Sequence, residues 1–116
     1  ELKRKKLRTV VSAIPRDRLL IETDAPAMLP PWQTGTTPTI SDDPTLARAL
    51  AATQGQTRWE VVSREGEIQN HPANLPVIYA AIAGLLSCPA ATLHQQVETN
   101  ARTFLGELWH GQCPRT

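Results

Sequence analysis

Apolar positions recur along this chain as helical stripes interrupted by one continuous run. Leu7, Val10, Val11 and Ile14 are spaced by three, four and seven residues. That spacing predicts a helix over 2–14 with one apolar face. Pro15 ends it, and the polar Arg16-Asp17-Arg18 turns the chain. In the next run, Leu19-Leu20-Ile21-Glu22-Thr23, every position except Glu22 is apolar or β-branched. This predicts a short strand over 18–23, buried on both faces as in parallel sheets covered by helices. Pro26 cannot continue a ladder, so the strand stops at or just before Asp24. Helix, tight turn and buried strand make the αβ half of a β/α unit.

From Ala27 to Asp43 no period is visible and Pro, Thr and Gly are frequent, which predicts a long surface loop. Asp43-Pro44 is an N-cap and first-turn signal for a short helix from Pro44 to about Thr53, stopped by Gly55. Arg58 to Gln69 is ambiguous. Trp59, Val61 and Val62 favour extended structure, whereas Arg64-Glu65-Gly66-Glu67 favours a turn. Leu75, Ile78, Ile82, Leu85 and Leu86 predict a helix over 74–86 with these residues on one side. Ser87-Cys88-Pro89 breaks the chain and opens a last helix over 89–105. Its stripe is Leu93, Val97, Ala101, Phe104 and Leu108, with Gly106 as a C-cap signal. The last ten residues are expected to fray.

Composition narrows the class without naming a chemistry. A chain of 116 residues is enough for one small domain. Most of the ten prolines fall between Pro26 and Pro76, where the periodic pattern is weakest. The net charge of +1 does not by itself imply a polyanionic partner. The distribution is uneven, however, with Lys3, Arg4, Lys5, Lys6 and Arg8 crowded into one helix start. The plain reading is a solvated helix face; a nucleic-acid or nuclear-import patch is the alternative. Cys88 and Cys113 form no C-x-x-C pair, so free thiols in a reducing compartment are expected. The longest apolar run, Leu75 to Cys88, contains Pro76 and is too short to span a bilayer. No secretory segment opens the chain, and an intracellular site, cytoplasmic or nuclear, is expected. A first residue of Glu1 rather than Met suggests a fragment, an excised domain or a processed chain.

Three motifs carry a resemblance. Ile14-Pro15-Arg16-Asp17-Arg18-Leu19-Leu20-Ile21-Glu22-Thr23-Asp24-Ala25-Pro26 resembles the last-strand signature of the TatD family. These are metal-dependent deoxyribonucleases on an amidohydrolase-type TIM barrel. Asn70-His71-Pro72-Ala73-Asn74-Leu75-Pro76 resembles the family's N-E-P-x-x-[LI]-P segment. Thr99-Asn100-Ala101-Arg102-Thr103-Phe104-Leu105-Gly106 resembles its C-terminal T-x-N-A-x-x-[LF]-F-G helix end, with one residue fewer before the Asn. The chain departs from the pattern in two places. Ala27 to Gln69 replaces a short, arginine-bearing loop, and His71 stands where the family has Glu. A whole barrel needs roughly 250 residues. The resemblance therefore implies an α/β chain that is the C-terminal fragment of a (β/α)8 TIM barrel, mostly helical, with one core strand. Residues 1–26 would be helix seven and strand eight, 27–69 an inserted loop and helix, and 70–116 the closing helices.

Read alone, Asp24 is a turn-forming residue before a proline. The resemblance instead implies that Asp24 is the catalytic and metal-binding aspartate at the top of the eighth strand, acting on DNA. The implied cofactor is a divalent cation, Mg, Mn or Zn. In the family an H-x-H pair, a Glu and two further His complete that site. The histidines here, His71, His94 and His110, are not in H-x-H spacing. Glu22 is expected to pack and hydrogen-bond, and Asn100 to bond backbone near a helix end. His71 is expected to be a plain surface histidine and His94 and His110 to face solvent. Trp32 and Trp59 are expected to cap the insert. The reading is thus a TatD-like phosphodiester hydrolase, C-terminal portion. Two alternatives stand beside it: a non-catalytic remnant serving as an interaction module, and a TatD-like hydrolase of another substrate.

Overall fold

The computed structural model describes residues 2–28, 40–52 and 60–106. The described elements are α1 (Leu2–Ala13), α2 (Pro44–Ala51), β1 (Glu60–Val62), β2 (Ile68–Asn70), α3 (Leu75–Leu86) and α4 (Ala90–Leu105). Among the described residues the fold is mostly helical, with one two-stranded sheet. Trp32, Trp59, Leu108, His110, Cys113 and the last ten residues lie outside them.

Helix α3 is the centre, and α1, α2 and α4 all pack on it. Its sequence, LPVIYAAIAGLL, is apolar all round, which suits a helix covered on several sides. Val77 is fully buried and Tyr79, Ala83 and Leu85 are buried. Leu75, Ile82 and Leu86 are only partly so. The predicted one-sided stripe is therefore corrected, because neighbours press on the face that the stripe left out. The helix ends at Ser87, whose left-handed backbone turns the chain into Pro89 and α4. On α4, Leu93 and Val97 fill the core as predicted, but Phe104 is 75% exposed. On α1 only Val11 of the predicted stripe is buried; Leu7 and Val10 are exposed.

The region between Ala27 and Asp43 is not wholly a surface loop. Ile40 and Asp43 are buried, and Ile40, Leu46 and Leu50 belong to the same core cluster as Leu93 and Val97. Each such aliphatic side chain contributes about 1.5–3 kcal/mol of burial. Asp43 caps α2 as the sequence predicts, its Oδ1 accepting from Leu46 N at 3.0 Å with Pro44 in the first turn. Its Oδ2 lies 2.7 Å from His94 Nδ1, and the imidazole meets the Tyr79 ring edge-on at 5.4 Å. His94 is thus half-buried and tied to the insert, not simply turned to solvent. The backbone N–H of Leu46, ahead of the His94 contact, holds the Asp43 carboxyl below the ordinary 3.8. Burial raises the Tyr79 phenol, helped by the negative charges of Glu98 and Asp43.

Residues 58–69 carry both signals that the sequence left in balance. Strands β1 and β2 pair antiparallel, with Val62 opposite Ile68 and Glu60 opposite Asn70. Between them Ser63 N donates to Glu67 O and Gly66 N to Ser63 O. Gly66 takes φ +82, open to glycine at no steric cost.

The predicted strand over 18–23 is corrected. Arg16–Arg18 is a single 3-10 turn, and the residues after it are extended without a ladder partner among the described residues. Burial alternates along this segment. Leu19 is buried, with Ile21 and Thr23 partly so, while Leu20, Glu22 and Asp24 are exposed. One face is packed on the helices and the other is open, with period two.

Candidate functional site

Asp24 ends the open face of this extended segment. The chain there reverses in four residues, Ala27 N donating to Asp24 O at 2.9 Å across a cis Ala25–Pro26 bond. A cis-proline at the third position defines a type VI turn. Asp24 itself has φ +58, a left-handed conformation that Asp tolerates better than most side chains. Its carboxylate is exposed, on the same face as Glu22 two residues earlier. Glu22 is therefore not the packed residue that the sequence predicts.

What holds this turn is Asn70. It is 3% exposed and lies at the end of β2. Its amide donates to Thr23 O at 2.5 Å, to Ala27 O at 3.0 Å and, at 3.4 Å, to Met28 O. Its backbone N–H donates to Pro26 O at 2.8 Å. Its Oδ1 accepts from His71 N at 2.8 Å and from the amide of the fully buried Asn74 at 2.7 Å. A neutral carboxamide suits the role, offering two donors and an acceptor in one plane without a buried charge. At the other end of the segment Asn100 does the same. Its amide donates to Arg16 O at 2.7 Å and to Leu19 O at 2.9 Å, in line with the backbone-bonding role expected for it.

Sequence reasoning assigned no role to Asn70. The available signal was a pair of asparagines four residues apart flanking His71-Pro72. His71 is partly buried; its Nδ1 accepts from Ala73 N at 2.9 Å and caps the short turn Pro72–Asn74. It is not the plain surface residue expected.

A family model described as TatD related DNase matches residues 2–106. The chain belongs to the TatD family. All three motifs lie inside the match, as does the inserted region between them. No curated protein and no solved structure matches the chain.

TatD proteins are generally metal-dependent, so the residues around Asp24 were tested against a divalent cation. Among the described residues no three His, Cys, Asp or Glu side chains gather as a metal-holding group. His94 is engaged with Asp43, and the His71 Nδ1 is occupied by its own turn. A hard cation takes six or more oxygen ligands, from protein and water together. A lone Asp24 carboxylate, even with Glu22 nearby, does not fit that demand.

Proposed function

We infer that membership of the family gives the coarse function, a hydrolase of the TatD deoxyribonuclease kind. We propose that residues 1–26 are the seventh helix and eighth strand of a TatD-type barrel, and that Asp24 is the carboxylate they contribute to its phosphodiester-cleaving site. DNA is the proposed substrate. The observation that carries this reading is the grip of Asn70 on the carbonyls either side of Asp24, Thr23 O and Ala27 O. A buried amide there fixes an exposed acid in a sparsely populated backbone conformation, an arrangement typical of functional sites. The alternation along Leu19–Asp24 supports the placement. A barrel strand turns alternate residues to its helices and to its interior, and Leu20, Glu22 and Asp24 take the interior positions.

In this role Asp24 accepts the proton of a water whose oxygen attacks phosphorus; the ester P–O bond breaks and the leaving oxygen takes a proton from solvent. The family's Mg, Mn or Zn does not fit the described residues alone.

The test is Asp24→Asn in the TatD protein carrying this segment, assayed on a small phosphodiester and on duplex DNA. The amide keeps the shape and tolerates the left-handed backbone, so circular dichroism should not change. Turnover should fall by about 10²–10⁴-fold, the usual worth of a positioned general base. Wild-type turnover in Asp24→Asn would remove Asp24 from the site.

A further inference from the structure

The start of α1 breaks the electrostatic rules that helices normally follow. Helix N-termini favour acidic side chains, because the macrodipole is positive there. Helix α1 has no acid in its first turn and carries Lys3, Arg4, Lys5, Lys6 and Arg8 within residues 3–8. Lys5 and Arg8 are like-charge neighbours at three residues, a spacing at which repulsion destabilises. The rest of the chain holds seven Lys and Arg against eleven Asp and Glu, a net −4. Yet no carboxylate among the described residues pairs with the exposed Lys5, Lys6 or Arg8. Local repulsion without an internal partner marks a surface whose compensation comes from outside.

We propose that Lys5, Lys6 and Arg8 of α1 form a docking surface for the phosphodiester backbone of a nucleic acid, outside the Asp24 site. The identity of the polyanion rests on the TatD reading; the charge argument does not. Charge complementarity selects a polyanion, and contacts of this kind carry position and affinity but no base sequence. An anionic membrane is the poorer fit. A helix lying in a bilayer interface needs a broad apolar face, often with aromatics. Here α1 has no aromatic, and Val11 is already buried against the protein.

The experiment is fluorescence anisotropy of the chain with a short labelled DNA duplex in EDTA, which prevents cleavage, over a salt series. Three phosphate contacts give a salt slope of about −2.7, a fall in affinity of about 40-fold between about 50 and 200 mM salt. Lys5→Glu/Lys6→Glu/Arg8→Glu should abolish most of that slope and weaken binding at low salt by at least tenfold. Lys5→Gln/Lys6→Gln/Arg8→Gln should weaken it too, while unfolding no more easily than wild type, since repulsion is relieved. Arg48→Glu/Arg64→Glu, which alters exposed cations elsewhere, should stay within about twofold of wild type. Turnover of the small phosphodiester by Asp24→Asn is read separately from this binding assay, so loss of the cleavage reading leaves this one standing. The proposal is overturned if wild type does not bind the duplex, if the triple variants bind it unchanged, or if only phosphatidylserine vesicles are bound.

Discussion

Replacing Asn70 by Ala tests whether one buried amide holds the Asp24 turn. The substitution removes two well-formed donor contacts, to Thr23 O and Ala27 O, and two acceptor contacts, from His71 N and the Asn74 amide. The 3.4 Å contact with Met28 O adds little. At about 1 kcal/mol net for each of the four, Asn70→Ala should cost about 4 kcal/mol. Urea unfolding of the chain reads this directly. With a slope of about 1.5 kcal/mol per M, the midpoint should fall by roughly 2–3 M. Asn70→Asp separates the donors from the acceptor. It keeps an oxygen for His71 N and Asn74 but turns a carboxylate toward the carbonyls of Thr23 and Ala27. Those oxygens disfavour the charged form, so the introduced carboxyl would titrate above its unfolded value. The variant should then recover stability as pH falls and its acid takes up a proton to donate. A loss under about 1 kcal/mol in Asn70→Ala, or no acid recovery in Asn70→Asp, would refute the idea that this amide fixes the turn.

Two further outcomes follow from the insert. The Asp43 carboxyl is held below the ordinary 3.8, mainly by Leu46 N–H and then by His94. A depressed acid stabilises the fold above its unfolded value and loses that contribution as pH falls through the folded one. Denaturant midpoints should therefore decline below about pH 4, and Asp43→Asn should be weaker than wild type at pH 7 but decline less on acidification. Leu50 is 7% exposed in the shared core, so Leu50→Ala should lower stability by about 2–5 kcal/mol in the same unfolding assay. A neutral Leu50→Ala would return the insert to the status of a removable surface loop.

The helices were legible because their signals are local. Asp43-Pro44 announces α2, and Pro89 and Gly106 bracket α4, with boundaries close to those observed. What was not legible depended on partners distant in sequence. Nothing in the local sequence from Pro44 to Leu50 states that Leu46 and Leu50 will share a core cluster with Leu93 and Val97. The fate of His94 was hidden for the same reason, since its partner Asp43 lies 51 residues away. Periodicity predicted too much burial for Leu7, Val10 and Phe104, because a stripe shows that a face is apolar and not what covers it.

The extended segment shows the same division between chemistry and context. Its composition marks a core strand, but a ladder needs a neighbour, and none lies among the described residues. It keeps its extended shape through other contacts. Asn100 takes the carbonyls of Arg16 and Leu19, and Asn70 those of Thr23 and Ala27. Leu19 and Ile21 anchor it in the core between them. Both asparagines come from the other two motifs, the one around His71-Pro72 and the one around Ala101. Neither touches the carboxylate of Asp24, yet both grip the backbone that presents it. The three motifs are thus parts of one device: an extended segment that carries an acid, and two amides, one within α4 and one at the end of β2, that hold the segment in position.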